Sequence, residues 1–146
     1  MQSPIQLINR TFLNIELHPQ VQDADVCGFG LSHMISVDQN DDDPTLWRAT
    51  VGVRIEDKAE NQPAPYVGEI RSAGHFKLDP DFSEVKAVDM VHLNAGAILY
   101  GAIRELILSL TSQSVHGELV LPTLDARCFL PKREDEEDST EDEDKN

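Results

Sequence analysis

The sequence predicts an α+β fold: a four-stranded antiparallel sheet with a long C-terminal helix and a short final helix packed on one face. Three observations predict it. Four segments before residue 79 alternate apolar and polar residues, the signature of half-buried strands. Residues 93–110, LNAGAILYGAIRELILSL, hold twelve apolar residues and only two charged ones, Arg104 and Glu105. The last fifteen residues hold nine acids and three bases, so they cannot join a core. The chain therefore divides into one domain over residues 1–131 and a disordered acidic tail over 132–146.

The first strand spans residues 5–17. Ile5, Leu7, Leu13, Ile15 and Leu17 share one phase, interrupted by Asn9 and Thr11, while Arg10 and Phe12 fall in the polar phase. His18-Pro19 ends it, because proline has no amide to donate to a ladder. After a loop over residues 20–28, the second strand carries Phe29, Leu31, His33, Ile35 and Val37 in one phase. The third, with Trp47, Ala49, Val51, Val53 and Ile55 facing one way, alternates most cleanly. The fourth covers residues 66–78, where Gly68 and Gly74 predict a bulge or bend. Short polar turns between strands two, three and four lead to an antiparallel meander with one covered face.

The cover is the helix. Leu99, Ile103, Leu106 and Leu110 make a bulky stripe at helical spacing, whereas Ala97, Ile98, Gly101 and Ala102 form a second face of small and apolar residues. Small residues four apart let another backbone approach closely. That second face is therefore expected at an interface with another copy of the chain, the alternative being a helix buried all round within one core. Two mid-segment charges argue against a membrane span. Residues 79–92 read as a linker, and residues 124–130 as a short final helix stopped by Pro131.

The 146-residue chain carries a net charge of −15, of which −9 remains on residues 1–131. Such a surface repels phosphates, which argues against unaided nucleic-acid binding, and it attracts basic partners. The opening MQSPIQLINR lacks a signal-peptide pattern, so a cytoplasmic location is expected, with Cys27 and Cys128 as free thiols. No catalytic or metal-binding constellation assembles. The run from Asp38 starts like a calcium loop but has Asp43 where the glycine belongs and Ala49 where the bidentate glutamate belongs. Ser32 and His33 are neighbours on a strand and face opposite sides. His33 sits in an apolar phase and should have a hydrogen-bond partner there. No enzyme activity and no cofactor are expected.

At the helix and its flanks the chain resembles the SecB family of protein-export chaperones. Ile98-Leu99-Tyr100-Gly101-Ala102-Ile103-Arg104-Glu105-Leu106 is similar to that family's I-L-F-P-Y-A-R-E signature. The opening Ile5-Gln6-Leu7-Ile8 resembles its first strand. Glu69 followed by Gly74-His75-Phe76 resembles E-x-x-x-x-G-x-F in its fourth strand, and Leu121-Pro122-Thr123-Leu124-Asp125-Ala126 resembles the run entering its last helix.

The resemblance implies a homotetramer, a dimer of dimers with the long helices between sheet layers. It implies a holdase that binds unfolded preproteins in apolar grooves. Phe29, Leu31, Met34 and Ile70 would form one wall and Leu121, Leu124 and Phe129 the other, the alternative for each being plain core packing. It further implies that Glu16 and Glu69 dock the translocation ATPase SecA, although Phe12 stands where the family has another acid and Gly101 replaces the helix proline. A related branch guards antitoxins, so a dedicated single client is the alternative.

Overall fold

A computed structural model describes residues 1–21, 28–82 and 84–131; Cys27 and the acidic tail lie outside the described residues. The strands are β1 (Ile5–Pro19), β2 (Gly30–Gln39), β3 (Leu46–Glu56) and β4 (Tyr66–Leu78). After them come the helix α1 (Glu84–Thr111) and a 3-10 turn, η1 (Ala126–Phe129).

Their order in the sheet is β1-β4-β3-β2, antiparallel throughout. The expected plain meander is thus correct only for β2, β3 and β4. β1 lies on the far edge beside β4, an arrangement of Greek-key type. Just after β1, the Gln20 amide donates to the Pro65 carbonyl in the segment between β3 and β4, and its side chain donates to Asp57. Gly28 beside Lys58 takes a φ of +112°, which a side chain would resist.

The bulges expected on β4 lie on β1 instead, at Ile8 and Leu13, where the pairing register shifts. Each inserts one unpaired residue and reverses the phase of the strand beyond it. Ile5 and Leu7, then Arg10 and Phe12, then Ile15 and Leu17 therefore all pair with residues of one β4 face, from Leu78 to Gly68. Gln6, Asn9, Thr11, Asn14 and Glu16 occupy the other face. The broken alternation in the sequence becomes an unbroken two-sided strand. On β4, Gly68 leaves no room for a side chain because the Glu16 carbonyl lies against it.

α1 begins nine residues before the expected start because the apolar row extends through the expected linker. Ala87, Val91, Ala95, Leu99, Ile103 and Ile107 recur every fourth residue and are all buried. They pack with Val51, Val53, Ile70 and Phe76 of β3 and β4 in the core. Leu106 is only half-buried and Leu110 is exposed, so the stripe leans one position from the expected one. By length and composition α1 could cross a membrane. In the fold, this row is used against the sheet.

Candidate binding surface

α1 sits over β3 and β4, leaving the two edge strands to be covered by something else. On the β2 side the chain itself supplies part of the cover. The Thr111 hydroxyl donates to the Ile107 carbonyl at 2.6 Å and accepts the Leu119 amide at 2.8 Å, turning the chain back along the helix. Gly117, at φ +75°, completes the turn, and its carbonyl accepts the Tyr66 hydroxyl at 2.9 Å. That hydroxyl in turn accepts the His116 amide. Leu119 and Leu121 are then buried, and the Tyr100 hydroxyl donates to the Pro122 carbonyl. Burial pushes the Tyr100 pKa up, so this donor keeps its proton.

Asp125 starts η1 by accepting the Arg127 amide at 2.9 Å, and the Arg127 guanidinium grips the same carboxylate. These bonds hold its pKa down at about 2. Phe129 then lies against Gly96 of α1, where a Cβ would fall 2.6 Å from the Phe129 Cβ. The His33 ring meets Phe129 edge-on at 5.3 Å, and Nδ1 of His92 donates to its carbonyl at 3.0 Å. His33 is thus met by an aromatic ring rather than by the hydrogen-bond partner expected of it. Partial burial and the nearby Asp125 raise the pKa of the neighbouring, otherwise exposed Cys128, which keeps it a thiol rather than a thiolate.

This packing divides the seven expected client-contacting residues. Ile70 (1% exposed), Leu121 (0%) and Phe129 (1%) are core side chains whose apolar surface is already used within the subunit. For these three the alternative of plain core packing is what the subunit shows, and they present no open wall. Met34, 47% exposed, lies on the opposite side of the sheet, over Gly52 and beside Arg71, because strand residues three apart point opposite ways. Phe29, Leu31 and Leu124 are half-buried and flank the core on the β2 side, together with Ile35 and Val37. The periodicity of β2 carried the signal for those last two residues.

On the β1 side the chain after α1 reaches the end of the strand, where His116 bonds the Gln20 carbonyl, and the middle of β1 is left open. Leu7, Ile8, Leu13 and Ile15 are exposed, and an open cleft of about 420 Å³ separates β1 from α1. Arg10, Phe12, Gly101, Ala102 and Glu105 line it, with the Arg10 guanidinium 5.4 Å from the Phe12 ring centre. Of the helix residues expected at an interface, Ala97 and Ile98 are exposed and Gly101 is half-buried with open space beyond it. Ala102 is already buried.

The outer sheet face is mixed in charge. Glu16 and Glu69 are directly paired across β1 and β4, but Glu69 is held by Arg54 at 3.3 Å and by Arg71 at 3.7 Å. Nearer the other end a depression of about 410 Å³ runs past Ile8, Asn9, Arg48 and His75, where Asn9 and His75 bond each other at 2.8 Å. The turn after β2 uses the Asn40 side chain to accept the Asp42 and Asp43 amides, and Asp43 bonds Thr45. These bonds close a self-satisfied turn. Among the described residues no three His, Cys, Asp or Glu side chains are grouped to hold a metal.

The solved structure of the SecB-like chaperone Rv1957 of Mycobacterium tuberculosis, in complex with a ChAD peptide from the HigA1 antitoxin Rv1956, has the same fold. It is similar at a TM-score of 0.60 and 17% identity, over 84% of this chain and 91% of that one. A protein of unknown function from Streptococcus agalactiae matches at a TM-score of 0.46 and 11% identity, over 83% of this chain and 100% of that one. No protein-family model and no curated protein sequence matches. The fold is SecB-like.

Proposed function

We propose that this protein is a SecB-like holdase that shields one dedicated client polypeptide, of the kind an antitoxin represents, and performs no chemistry. The observation that carries the reading is the set of half-buried apolar side chains Phe29, Leu31, Ile35 and Val37, in one phase of β2 and its approach, with Leu124 of the returning chain also half-buried against the core. Binding only the unfolded client, it would lower that client's free concentration and so its aggregation, by mass action. A solved relative in fold that is bound to an antitoxin peptide supports the single-client form.

Hand-over to the translocation ATPase has weaker support. Its expected docking pair includes Glu69, whose carboxylate already faces two guanidinium groups. The working particle we propose is a cytoplasmic dimer of dimers, joined through the open α1 face at Ala97, Ile98 and Gly101 and the cleft beside β1. The test is capture of bound polypeptides from the native cytoplasm, followed by aggregation assays. One dominant partner, protected at stoichiometric amounts while unrelated unfolded proteins aggregate, is the expected result. Broad protection of many precursors, lost in Glu16→Lys and Glu69→Lys variants together with ATPase binding, would favour export instead.

A further inference from the structure

Charge is spread unevenly over this subunit. Residues 1–131 hold nine bases and eighteen acids. Four of the bases, Arg48, Arg54, Arg71 and Lys77, stand on the outer face of the sheet with only four acids, Glu16, Asp38, Glu56 and Glu69. The other five bases share the rest of residues 1–131 with fourteen acids. The outer face is therefore the one surface that is not strongly negative. Its acids also gather at one end, where Glu69 lies between Arg54 and Arg71 and pairs with Glu16. From Arg71 to Lys77 the face carries Arg71, Arg48 and Lys77, with His75, against Asp38 alone. Among the described residues Arg48 and Lys77 make no ion pair. The carboxylate of Asp43, which feels Lys77 from the adjoining turn, is spent on the Thr45 amide and hydroxyl.

We infer that this cationic end is the dock of the chain's own acidic segment, residues 134–144, which holds nine acids and no base. The segment lies outside the described residues, but its point of departure does not. Phe129 meets His33 of β2, so the chain leaves Pro131 beside the edge strand. Only β2 separates that point from the outer face. Its outward residues there, Ser32, Met34 and Ser36, carry no charge to bar the way. Arg48 pairs with Asp38, five residues along β2 from His33 and one strand further in. That path is roughly 20 Å, at about 3.3 Å per residue and 4.8 Å per strand. Glu134 to Asp138, three to seven residues past Pro131, reach about 10–25 Å when extended. Docked there, the segment keeps its carboxylates off the apolar row beside which it starts. It also closes the outer face to outside partners until a basic polypeptide draws it away. The inference stands apart from the identity of any client.

The test uses the full chain with a nitroxide on Ser139→Cys, in a Cys27→Ser and Cys128→Ser background, and reads amide signals by NMR at low salt. Signal should be lost at Arg48, His75, Lys77 and their strand neighbours. It should return when Arg48→Glu and Lys77→Glu are combined, or at about 1 M salt, where the screening length is about 3 Å. Both substituted sites are exposed, so an otherwise unchanged spectrum is expected, and the salt arm stands without the variant. Four results overturn the inference: no loss anywhere, loss centred on the inner side of β2 or on the cleft between β1 and α1, loss that survives charge reversal or high salt, and loss that vanishes when doubly labelled chains are diluted into plain ones. The last would put the segment on a neighbouring copy.

Discussion

Phe129 rests directly on Gly96, and the short C-terminal turn is seated on α1 because that one helix position has no side chain. Glycine in a helix interior costs about 1 kcal/mol relative to alanine, so a structural gain must offset it here. Gly96→Ala should therefore destabilise despite better helix propensity, by about 1–2 kcal/mol, because the new methyl group displaces Phe129. Denaturant unfolding of both forms checks this. A more stable variant would mean that the turn is free to move aside.

Phe129 and Leu124 are near neighbours in sequence with opposite expected roles. Phe129→Ala opens a hole in the core and should cost about 3–5 kcal/mol. Leu124→Ala removes half-exposed surface and should cost less than about 1 kcal/mol, while weakening client affinity about fivefold or more. The pair of unfolding and titration curves separates them. Equal stability losses would put Leu124 in the core.

Gly101 has open space where a side chain would go. Gly101→Leu should leave the subunit at least as stable as before, by up to about 1 kcal/mol from helix propensity. It should nevertheless reduce the assembled mass, read by light scattering or sedimentation, because the added leucine blocks the neighbouring copy. An unchanged mass would place the interface on another face.

Glu69 stands between Arg54 and Arg71. Glu69→Lys gathers three cations on adjoining strands and should cost about 1 kcal/mol at low salt. The loss should shrink as ionic strength rises and screens the repulsion. A salt-independent loss would point to packing instead.

Asp125 has its pKa lowered to about 2 by the Arg127 amide and guanidinium. A depressed acid stabilises the folded form above its unfolded pKa, and that contribution fades as pH falls from about 4 towards 2. The Arg127 amide resonance should titrate in that window together with the Asp125 carboxyl. An Asp125 midpoint near 4 would mean that the cap is not formed in solution.

Much of this architecture was legible because period two and period 3.6 survive burial. β3 and β4 were placed to within a residue or two, and the SecB-like arrangement emerged from motif order. Strand order was less legible, since it depends on which edges meet and not on any local pattern. The early start of α1 was hidden because Lys86, Asp89 and His92 dilute a row that only Ala87 and Val91 carry. Site residues fared unevenly for a related reason. Phase separates inward from outward positions, but Ile70, Leu121 and Phe129 show that it cannot separate a covered inward residue from an open one.

The two extra residues in β1 also bear on how this chain should be compared with others. Any gap-free alignment across residues 5–17 puts Arg10 and Phe12 on the side that Asn9 and Thr11 really occupy. The Phe12 ring in fact lines the cleft beside α1. Losing Ile8 or Leu13 would remove a bulge while leaving every paired residue of the strand on its present face. Homologues that differ by such deletions would share a surface while aligning poorly in sequence.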